Sequence, residues 1–556
     1  MPKLRGADVL ARALAIAGAR QLFSLSGNQI MPVYDAAIDA GLSITHVRHE
    51  GAALHMADAW GRLTGEPGIA LLTGGPGHAN GIGALYTALA SESPLVMLSG
   101  HAPLNQLGRG AFQEMAQADM AAPVTKASFT ARGAASLGDD IARAMRIARS
   151  GRPGPVHLSL PFDVLEHTVT DAENCVPNAD AFLAPPQALS THQAEAVLNA
   201  IAQARCPLVI TGPQLASARG QALRDQLSAA TGVAVVCMES PRGIADPCLG
   251  AFGDVLPDAD LIVLVGKQPD YTLRFAQSPA VGANCKFIVI DADIAVLRQS
   301  MATLKAERVL MNVVADAPAA ARSLATLAEN KKTIKTNGYK QSVLDAVTYR
   351  PAAWLTQAAT SHGTAHALEI GRAVQKILDD ADDPILVIDG GEFGQWAQAC
   401  MTAPTRIING PAGSIGSAIP FALAARIARP DATIVAVLGD GTFGFHMAEF
   451  DTAVRHRLPF VAVVGNDACW NAEYQIQLRA YGKDRTMGCE LQPHAAYEKA
   501  VVALGGYGER VASGADVPWA LRRAMKSKLP ACVNVMIERL PAPTVSRAAL
   551  TGGSVH

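Results

Sequence analysis

Short apolar runs alternate with longer amphipathic stretches along most of the chain. Residues 1–170 contain the runs ITHVR, IALLTG, PLVMLSG and GPVHLSL, separated by stretches with helical spacing. Continuous apolar runs of this length are typical of parallel strands that are buried on both faces, and the amphipathic stretches are typical of helices that cover such a sheet. The pattern predicts a doubly wound α/β domain over residues 1–170.

The same alternation returns twice. Residues 190–330 contain CPLVITG, VAVVC, ADLIVLVG and CKFIVIDAD, and residues 366–556 contain PILVIDGG, ATIVAVLGDG, FVAVVGND and ACVNVMIE. The stretch LPFDVLEHTVTDAENCVPNADAFLAPPQ (160–187) and residues 331–365 lose the periodicity and are predicted to be connectors. The predicted fold class is therefore α/β, with three doubly wound domains whose sheets are mostly parallel.

Composition narrows the range of partners. The chain has 47 basic and 49 acidic residues, which gives no basic surface for nucleic acid, and no apolar run approaches the ~18 residues of a membrane span. Nine scattered cysteines without a CxxC pair favour free thiols in a reducing cytoplasm. The N-terminal MPKLRGADVLARALAIAGAR is either a signal peptide or an amphipathic helix, and Arg12 and Arg20 favour the helix.

One βαβ unit in the third block carries candidate metal ligands. A strand over 434–438 runs into GDGTFG, a helical pattern follows, and a second strand over 460–464 runs into GNDACWN. A right-handed crossover brings both turns to the carboxyl edge of the sheet, so we expect Asp440 and Asp467 to be neighbours. Carboxylates suit Mg²⁺, which often bridges to phosphates. The alternative is that each Asp satisfies the backbone of its own turn.

GDG followed after about 25 residues by an Asn-led turn resembles the signature of thiamine-diphosphate-dependent enzymes of the acetolactate synthase, benzaldehyde lyase and 2-hydroxyacyl-CoA lyase type. The resemblance implies that the side chains of Asp440 and Asp467 and the carbonyl of Cys469 hold Mg²⁺. Asp467 stands where that family usually has Asn, which keeps an oxygen ligand and adds a negative charge. Further positions implied to contact the cofactor are Gly391, Glu392, Gly413, Ser414, Ile415, Gly441, Thr442 and Trp470.

Two of these positions have more specific implied roles. The Gly413 carbonyl would accept from the aminopyrimidine, and Ile415 would wedge the cofactor into its bent form. The alternative for this stretch is a glycine-rich helix entry.

The first block offers the carboxyl group that this chemistry needs. RHEGAALHMADAWG followed by a Gly-Pro-Gly loop resembles the pyrimidine-binding pattern of the same family, which implies that Glu50 activates the cofactor and that Gly75 contacts it. A carboxyl hydrogen-bonded to the pyrimidine nitrogen needs an apolar setting. The alternative for Glu50 is a helix-start carboxylate favoured by the helix dipole. His46, His49 and His55 could form a metal cluster but are expected to serve packing and hydrogen bonding.

The resemblance also implies a substrate pocket formed by both halves of the site. Gln113 and Gln29 are expected to be catalytic, handling substrate oxygen and protons. Gln29 replaces a His of benzaldehyde lyase, and because Gln does not titrate near neutral pH that proton-transfer role cannot carry over. Loop polarity and plain packing are the alternatives for the loop and aromatic positions. The expected pocket residues are Asn28, Gln29, Phe112, Gln113, Trp470 and Tyr474.

The middle block resembles domains that hold FAD in acetolactate synthases or ADP in oxalyl-CoA decarboxylases. The segment SPRGIADPCLGAFGDVLPDADL is short for the FAD-binding form, and no GxGxxG follows a strand there. We expect a domain without flavin and leave ADP or CoA open.

The resemblance implies a C–C lyase or carboligase that acts on 2-hydroxy ketones or 2-hydroxyacyl-CoA thioesters through an enamine intermediate. An acetolactate-synthase-like enzyme that decarboxylates 2-oxo acids is the alternative, followed by a non-catalytic relative or a dinucleotide oxidoreductase. The missing GxGxxG disfavours the oxidoreductase. In the resembled family the cofactor spans two subunits, which implies a homodimer or homotetramer.

Overall fold

The computed structural model describes residues 3–170, 174–331 and 338–547. Its strands form three large sheets and one two-stranded ribbon. The strands are β1 (Leu4–Arg5), β2 (Gln21–Leu25), β3 (Ser43–His46), β4 (Gly68–Leu72), β5 (Leu95–His101), β6 (Ala127–Thr130), β7 (Pro155–Pro161), β8 (Thr168–Val169), β9 (Pro207–Thr211), β10 (Ala234–Cys237), β11 (Leu261–Val265), β12 (Lys286–Asp291), β13 (Val309–Val314), β14 (Pro384–Ile388), β15 (Thr405–Ile408), β16 (Thr433–Gly439), β17 (Val461–Asn466), β18 (Tyr507–Val511) and β19 (Ala531–Met536).

Helices connect and cover these strands. The α-helices are α1 (Gly6–Ile16), α2 (Met31–Asp39), α3 (Glu50–Thr64), α4 (Pro76–Ala90), α5 (Gln117–Ala121), α6 (Leu137–Arg149), α7 (Phe162–Glu166), α8 (Thr191–Gln203), α9 (Ala218–Thr231), α10 (Phe252–Val255), α11 (Ile294–Leu304), α12 (Ala317–Lys331), α13 (Gly338–Thr348), α14 (Ala367–Asp379), α15 (Gly391–Cys400), α16 (Ala418–Ala428), α17 (Asp440–His446), α18 (Glu449–Arg455), α19 (Asn471–Tyr481), α20 (Tyr497–Ala503) and α21 (Val517–Ser527).

Each large sheet is parallel throughout. The strand orders are β3-β2-β4-β5-β7-β6, β10-β9-β11-β12-β13 and β15-β14-β16-β17-β19-β18, and only the small ribbon β1-β8 pairs antiparallel among the strands of the described residues. The predicted α/β class with mostly parallel sheets is confirmed. The sheets span residues 21–161, 207–314 and 384–536. The domain boundaries at 170, 190, 330 and 366 stay predictions.

The first and third sheets share one apolar core through two packed helices. Helix α3 packs against α16, whose residues from Ala418 to Ala425 are all buried. Leu54 and Ala57 of α3 belong to the same buried cluster as Phe421 of α16. Arg62 of α3 adds a hydrogen bond between the two domains by donating to the Ile408 carbonyl of β15 at 2.7 Å. A helix that is apolar on every side is stable only when covered on every side, which explains the composition of α16.

Two predicted connectors contain packed structure. Part of the stretch predicted as a connector near 331–365 forms α13, where the Tyr339 hydroxyl donates to the Val255 carbonyl at 3.0 Å and Val343 is fully buried. The prediction missed the helical spacing of its buried residues; residues 332–337 lie outside the described part. The stretch after β7 is also packed, since Val169 and Phe182 are buried in a second apolar cluster that covers the first sheet.

The expected N-terminal helix is confirmed as α1. Among the described residues, no helix combines the length and the apolarity that crossing a membrane would require.

Candidate active site

The two candidate metal ligands follow neighbouring parallel strands. Gly439, the last residue of β16, is paired with Gly465 of β17, and each Asp lies just beyond this pair. The predicted turn at GDG is replaced by a direct strand-to-helix junction, because Gly439 is extended and α17 begins at Asp440. The second strand also extends further than expected, to Asn466. The juxtaposition of Asp440 and Asp467 itself is as the crossover predicts.

The electrostatics of this pair fit a cation. Burial raises the pKa of Asp440 to about 6, and burial together with the charge of Asp440 raises the pKa of Asp467 to about 7. Asp440 Oδ1 accepts from the Gly441 N–H at 3.0 Å, whereas its Oδ2 is buried with no partner among the described residues. Two repelling carboxylates and an orphaned buried oxygen are stabilised by a divalent cation, so these residues fit Mg²⁺.

The third expected ligand is a main-chain carbonyl in the turn after β17. No hydrogen-bond donor within the described ranges reaches the Cys469 carbonyl oxygen, which leaves it available to a metal. Asn466 shapes this turn: its Oδ1 accepts from the Ala468 N–H at 3.2 Å, and its Nδ2 donates to Asn534. Trp470 N–H donates to the Cys489 carbonyl at 2.7 Å. In the described part of the chain, no three His, Cys, Asp or Glu side chains are grouped so that they could hold a metal ion, and this candidate set has two carboxylates and one carbonyl.

Two helix N-termini lie beside the aspartates, an arrangement that suits an anion. Helices α15 and α17 both begin directly beyond adjacent strands of the third sheet, so their free N–H groups face the same edge. Gly391, the first residue of α15, has φ +85° and nothing within 4 Å of an added Cβ. An added Cβ at Gly441 would lie 2.6 Å from the Trp470 ring, so only glycine fits there. The Thr442 hydroxyl donates to the Gly439 carbonyl at 2.9 Å.

Glu392 is a less direct candidate. Its carboxylate accepts from Gln395 at 2.8 Å and lies 3.9 Å from the guanidinium of Arg242 in the middle block. Because protein groups already engage this side chain, a contact to diphosphate would have to come from its main chain.

The glycine-rich loop before α16 is held by a residue that the sequence reading missed. Asp389 is fully buried, and its carboxylate accepts from the N–H groups of Gly390, Gly416 and Ala418 at 2.8–3.1 Å. An added Cβ at Gly390 would lie 2.8 Å from Cγ2 of Ile415, so the main chain that Asp389 bonds lies against the residue expected to bend the cofactor. An Asp directly after a buried strand and before Gly-Gly was the available signal.

The rest of that loop is tied down by side-chain amide and imidazole groups. The Ser414 carbonyl accepts from Asn409 Nδ2 at 2.8 Å, and the Gly416 carbonyl lies 2.6 Å from His446 Nδ1. Gly413 has φ +68° and is exposed, so its carbonyl is not buried in the protein.

Glu50 is the first residue of α3, as the pattern predicts. It is 8% exposed, and its Oε2 accepts from Asn80 Nδ2 at 3.0 Å. An added Cβ at Gly77 would lie 3.4 Å from Oε1, so this oxygen faces the first turn of α4. The buried Ala53 and Leu54 follow in the same helix. The Glu50 carboxyl group therefore faces the Gly-Pro-Gly loop from a buried position.

The two candidate glutamines lie on either side of the Gly-Pro-Gly loop. Gln29 Oε1 accepts from the Thr73 hydroxyl at 2.6 Å and from the Gly74 N–H at 3.2 Å. Gly75 has φ +56°, and a Cβ there would lie 2.8 Å from Cβ of Gln113. Gln113 itself has φ +57° and a buried Oε1 with no partner among the described residues.

The remaining pocket candidates divide between the two halves. Asn28 is exposed beside Gln29, and Phe112 is 71% exposed beside Gln113. Trp470 forms an edge contact with Phe445, and Tyr474 lies under the Arg539 guanidinium, 5.1 Å from its ring centre.

Within the described residues, no hydrogen bond, ion pair or ring contact joins the candidates near Glu50 to those near Asp440. The two halves are each assembled within the chain, and the expectation that a second subunit joins them stays a prediction.

The histidines near Glu50 serve hydrogen bonding and packing. His46 Nε2 lies 3.0 Å from the Ser26 hydroxyl, and His49 Nδ1 accepts from the Gly51 N–H. His55 is buried, which holds its pKa well below the usual value, and it packs edge-on against Phe421.

The comparisons with known proteins agree with this geometry. Residues 4–120 match the thiamine pyrophosphate enzyme N-terminal TPP binding domain, and residues 389–535 match the C-terminal TPP binding domain. The chain is 30% identical over 539 residues to a probable acetolactate synthase of Mycobacterium bovis, covering 95% of each chain. It is 29% identical over 564 residues to a 2-hydroxyacyl-CoA lyase of Oryza sativa subsp. japonica, covering 96% of each. It is also 29% identical to 2-hydroxyacyl-CoA lyase 2 of Homo sapiens, covering 90% of this chain and 84% of that protein.

Fold, site and relatives define an enzyme that depends on thiamine diphosphate, also called thiamine pyrophosphate. The chain belongs to the family of thiamine pyrophosphate enzymes.

Proposed function

We propose that the protein is a Mg²⁺-dependent C–C lyase or carboligase that acts on 2-hydroxy ketones or 2-hydroxyacyl-CoA thioesters. The observation that carries the proposal is the presence of two site halves in one chain: one has buried Asp440, with its orphaned oxygen, and half-buried Asp467, and the other has buried Glu50 and two uncharged glutamines. The first half suits a metal–diphosphate group, and the second suits proton transfer to a bound base and recognition of a neutral substrate.

The third sheet would bind the diphosphate end of the cofactor. Asp440, Asp467 and the Cys469 carbonyl would hold Mg²⁺, and free N–H groups of Gly391 and Thr442 at two helix N-termini would bind phosphate oxygens. Ile415, held by the loop that Asp389 anchors, would orient the organic part of the cofactor. When bound, thiamine diphosphate supplies a nucleophilic carbon and an electron sink for cleavage or formation of a C–C bond.

The domain of the first sheet would provide the carboxyl group of Glu50 for proton transfer. Glu50 would place Oε1, the carboxyl oxygen that Asn80 does not engage, at the pyrimidine nitrogen of a bound cofactor and would exchange a proton with it there.

The glutamines present complementary groups to a substrate. The Oε1 of Gln29 is occupied by Thr73 and Gly74, which leaves its Nε2 as a donor, whereas Gln113 presents an unpartnered acceptor, Oε1. A donor and an acceptor are the groups that the carbonyl and hydroxyl oxygens of a 2-hydroxy carbonyl compound require. Neither group carries charge, which favours a neutral 2-hydroxy ketone or thioester over a 2-oxo acid carboxylate.

We further propose that the middle domain holds no flavin. Two cations that line the crevice between the first and middle blocks are already paired, since Arg152 contacts both Glu92 and Asp291, and Lys267 lies 2.8 Å from Asp270. Neutralised cations bind a nucleotide diphosphate weakly. Binding of ADP or CoA elsewhere on the chain stays open. A cytoplasmic homodimer or homotetramer remains our expectation, because two site halves need to meet.

A substrate panel tests the proposal. Holoenzyme is incubated with a 2-hydroxy ketone, a 2-hydroxyacyl-CoA and a 2-oxo acid, while aldehyde, formyl-CoA and CO₂ are each measured. Aldehyde or formyl-CoA release without CO₂ supports the lyase. CO₂ release with 2-oxo acids alone would instead indicate the acetolactate-synthase-like function, which the 30% identity to the mycobacterial relative favours as the second candidate.

A further inference from the structure

Glu449 is a fully buried carboxylate at the contact between the first and third sheets, and the chemistry proposed above gives it no role. It is the first residue of α18, three positions after α17 ends. A buried carboxylate is costly unless several donors surround it, so its partners indicate its purpose.

Both carboxylate oxygens of Glu449 accept hydrogen bonds from the main chain of the first domain. Oε1 accepts from the N–H groups of Arg48 and His49, each at 3.0 Å, and Oε2 lies 3.2 Å from the Arg48 N–H. The Thr452 hydroxyl completes the set by donating to Oε2 at 2.6 Å. The carboxylate is therefore fully engaged, mainly by two residues some 400 positions away in the chain.

These two N–H groups immediately precede Glu50. His49 is the N-cap of α3, and its own Nδ1 accepts from the Gly51 N–H at 3.0 Å. The entry to the helix is thus bonded on one side by His49 and on the other by Glu449, with Glu50 between them. A carboxylate near a helix N-terminus is also favoured by the helix dipole.

Among the described residues, the other contacts of this interface reach the preceding strand or the side chains of the turn rather than its main chain. His46 N–H donates to His456 Nε2 at 3.2 Å, and Arg455 donates to the His46 carbonyl at 2.8 Å. Asp451 lies 3.6 Å from the Arg48 guanidinium, which is a side-chain contact only. Glu449 alone among these groups bonds the main chain next to Glu50.

We propose that Glu449 is a positioning residue that fixes the main chain at Arg48 and His49 so that the Glu50 carboxyl is held at one place. The proposal rests on the proposed function, because positioning matters only if Glu50 protonates the cofactor. It makes a residue of the diphosphate-binding sheet responsible for the geometry of the pyrimidine-binding half.

The test compares Glu449→Gln with Asp451→Asn, which removes a neighbouring interdomain contact from the same helix that reaches only the side chain of Arg48 and not the main chain of the turn. Glu449→Gln keeps the size of the side chain but replaces one acceptor oxygen by a donor. Glu449→Asp, which keeps the charge and shortens the reach, is used with the same expectations if the Gln variant does not fold. Amide hydrogen exchange of the peptide covering 47–54 is measured in cofactor-free protein, and hydrogen–deuterium exchange at C2 of added thiamine diphosphate is measured by NMR.

We expect amide exchange in that peptide to rise about tenfold in Glu449→Gln and to stay within about twofold of wild type in Asp451→Asn. Exchange at C2 should slow about tenfold in Glu449→Gln, yet the same substitution should add less than about twofold in a Glu50→Gln background, because one residue acts through the other.

The proposal would be overturned if Glu449→Gln slowed exchange at C2 by the same factor in the wild-type and the Glu50→Gln backgrounds. Unchanged amide exchange in Glu449→Gln would also overturn it. A wild type that neither binds thiamine diphosphate nor exchanges its C2 proton would overturn the proposed function and this role together. A wild type that does both, beside an unaffected Glu449→Gln, would overturn only the role of Glu449.

Discussion

Asp440 and Asp467 stand one residue and two residues beyond a pair of hydrogen-bonded strands, and the charge of Asp440 helps burial to raise the pKa of Asp467 to about 7. Two neighbouring carboxylates whose negative charges repel each other are poorly accommodated without a cation. The relationship leads to predictions about protons as well as about metal.

Metal binding should release a proton near neutral pH. The pKa values of about 6 and about 7 mean that metal-free protein carries roughly one proton on the pair near pH 6.5. Because Mg²⁺ binds the ionised carboxylates, its affinity should rise from pH 6 to pH 8. Calorimetric titration in two buffers of different ionisation enthalpy measures the released proton. Equal heats in both buffers at pH 6.5 would contradict the assigned ligands.

Asp467→Asn should retain Mg²⁺ binding and flatten its pH dependence between pH 6 and 8. The amide keeps an oxygen ligand but cannot titrate.

The same substitution should change the stability of the metal-free protein. A carboxyl whose pKa is raised by folding binds more protons in the folded state, so metal-free stability falls as pH rises from about 4 to about 7. Thermal unfolding in chelator at pH 8 should therefore show the variant more stable than wild type by on the order of 1 kcal/mol. Asp440→Asn is the contrast, since it should lose Mg²⁺ affinity at least about tenfold.

Substitutions at Gly441 and Gly444 of α17 distinguish an effect on cofactor binding from an effect on the helix itself. Gly441→Ala would place a Cβ 2.6 Å from the Trp470 ring, whereas Gly444 has nothing within 4 Å of an added Cβ. Gly441→Ala should weaken thiamine diphosphate binding about tenfold or more by displacing Trp470. Gly444→Ala should leave binding unchanged and stabilise the helix by about 0.5–1 kcal/mol. Equal effects of the two substitutions on the measured Kd would show that Trp470 does not border the proposed diphosphate site.

Glu50→Gln should bind the cofactor but lose about 10²–10⁴-fold in turnover, because Gln cannot deliver a proton to the pyrimidine nitrogen. Glu66→Gln, which lies just beyond the other end of α3 and pairs with Arg149 on the surface, is the matched control. Steady-state kinetics with saturating cofactor and Mg²⁺ distinguish the two. Undiminished turnover in Glu50→Gln would remove Glu50 from the chemistry.

The sequence was most informative where one periodic pattern decided the structure. Alternating apolar runs predicted the parallel sheets, and the handedness of one crossover placed Asp440 beside Asp467 although 27 positions separate them. The helix start at Asp440 was missed because glycines on both sides of it read as a turn. The packed helix α13 was missed because its buried residues follow a polar stretch.

Residues that act through main-chain contacts were the least predictable. Asp389 bonds N–H groups of a loop about 27 positions further on, and Glu449 bonds N–H groups about 400 positions earlier. Neither contact leaves a periodic signal, because any exposed loop could supply the same N–H donors. Asn466 is similar: its place in the Asn-led turn suggested a ligand region, whereas its side chain accepts from the Ala468 N–H and so bonds the main chain of the turn.

The most direct test of the central claim is calorimetric binding of thiamine diphosphate to wild type, once with Mg²⁺ and once with chelator, repeated with Asp440→Asn. We predict binding that requires Mg²⁺ in the wild type and at least about tenfold weaker binding in the variant. Binding of equal strength with chelator, or no binding to wild type under any condition, would contradict the assignment of this edge of the third sheet as a metal–diphosphate site.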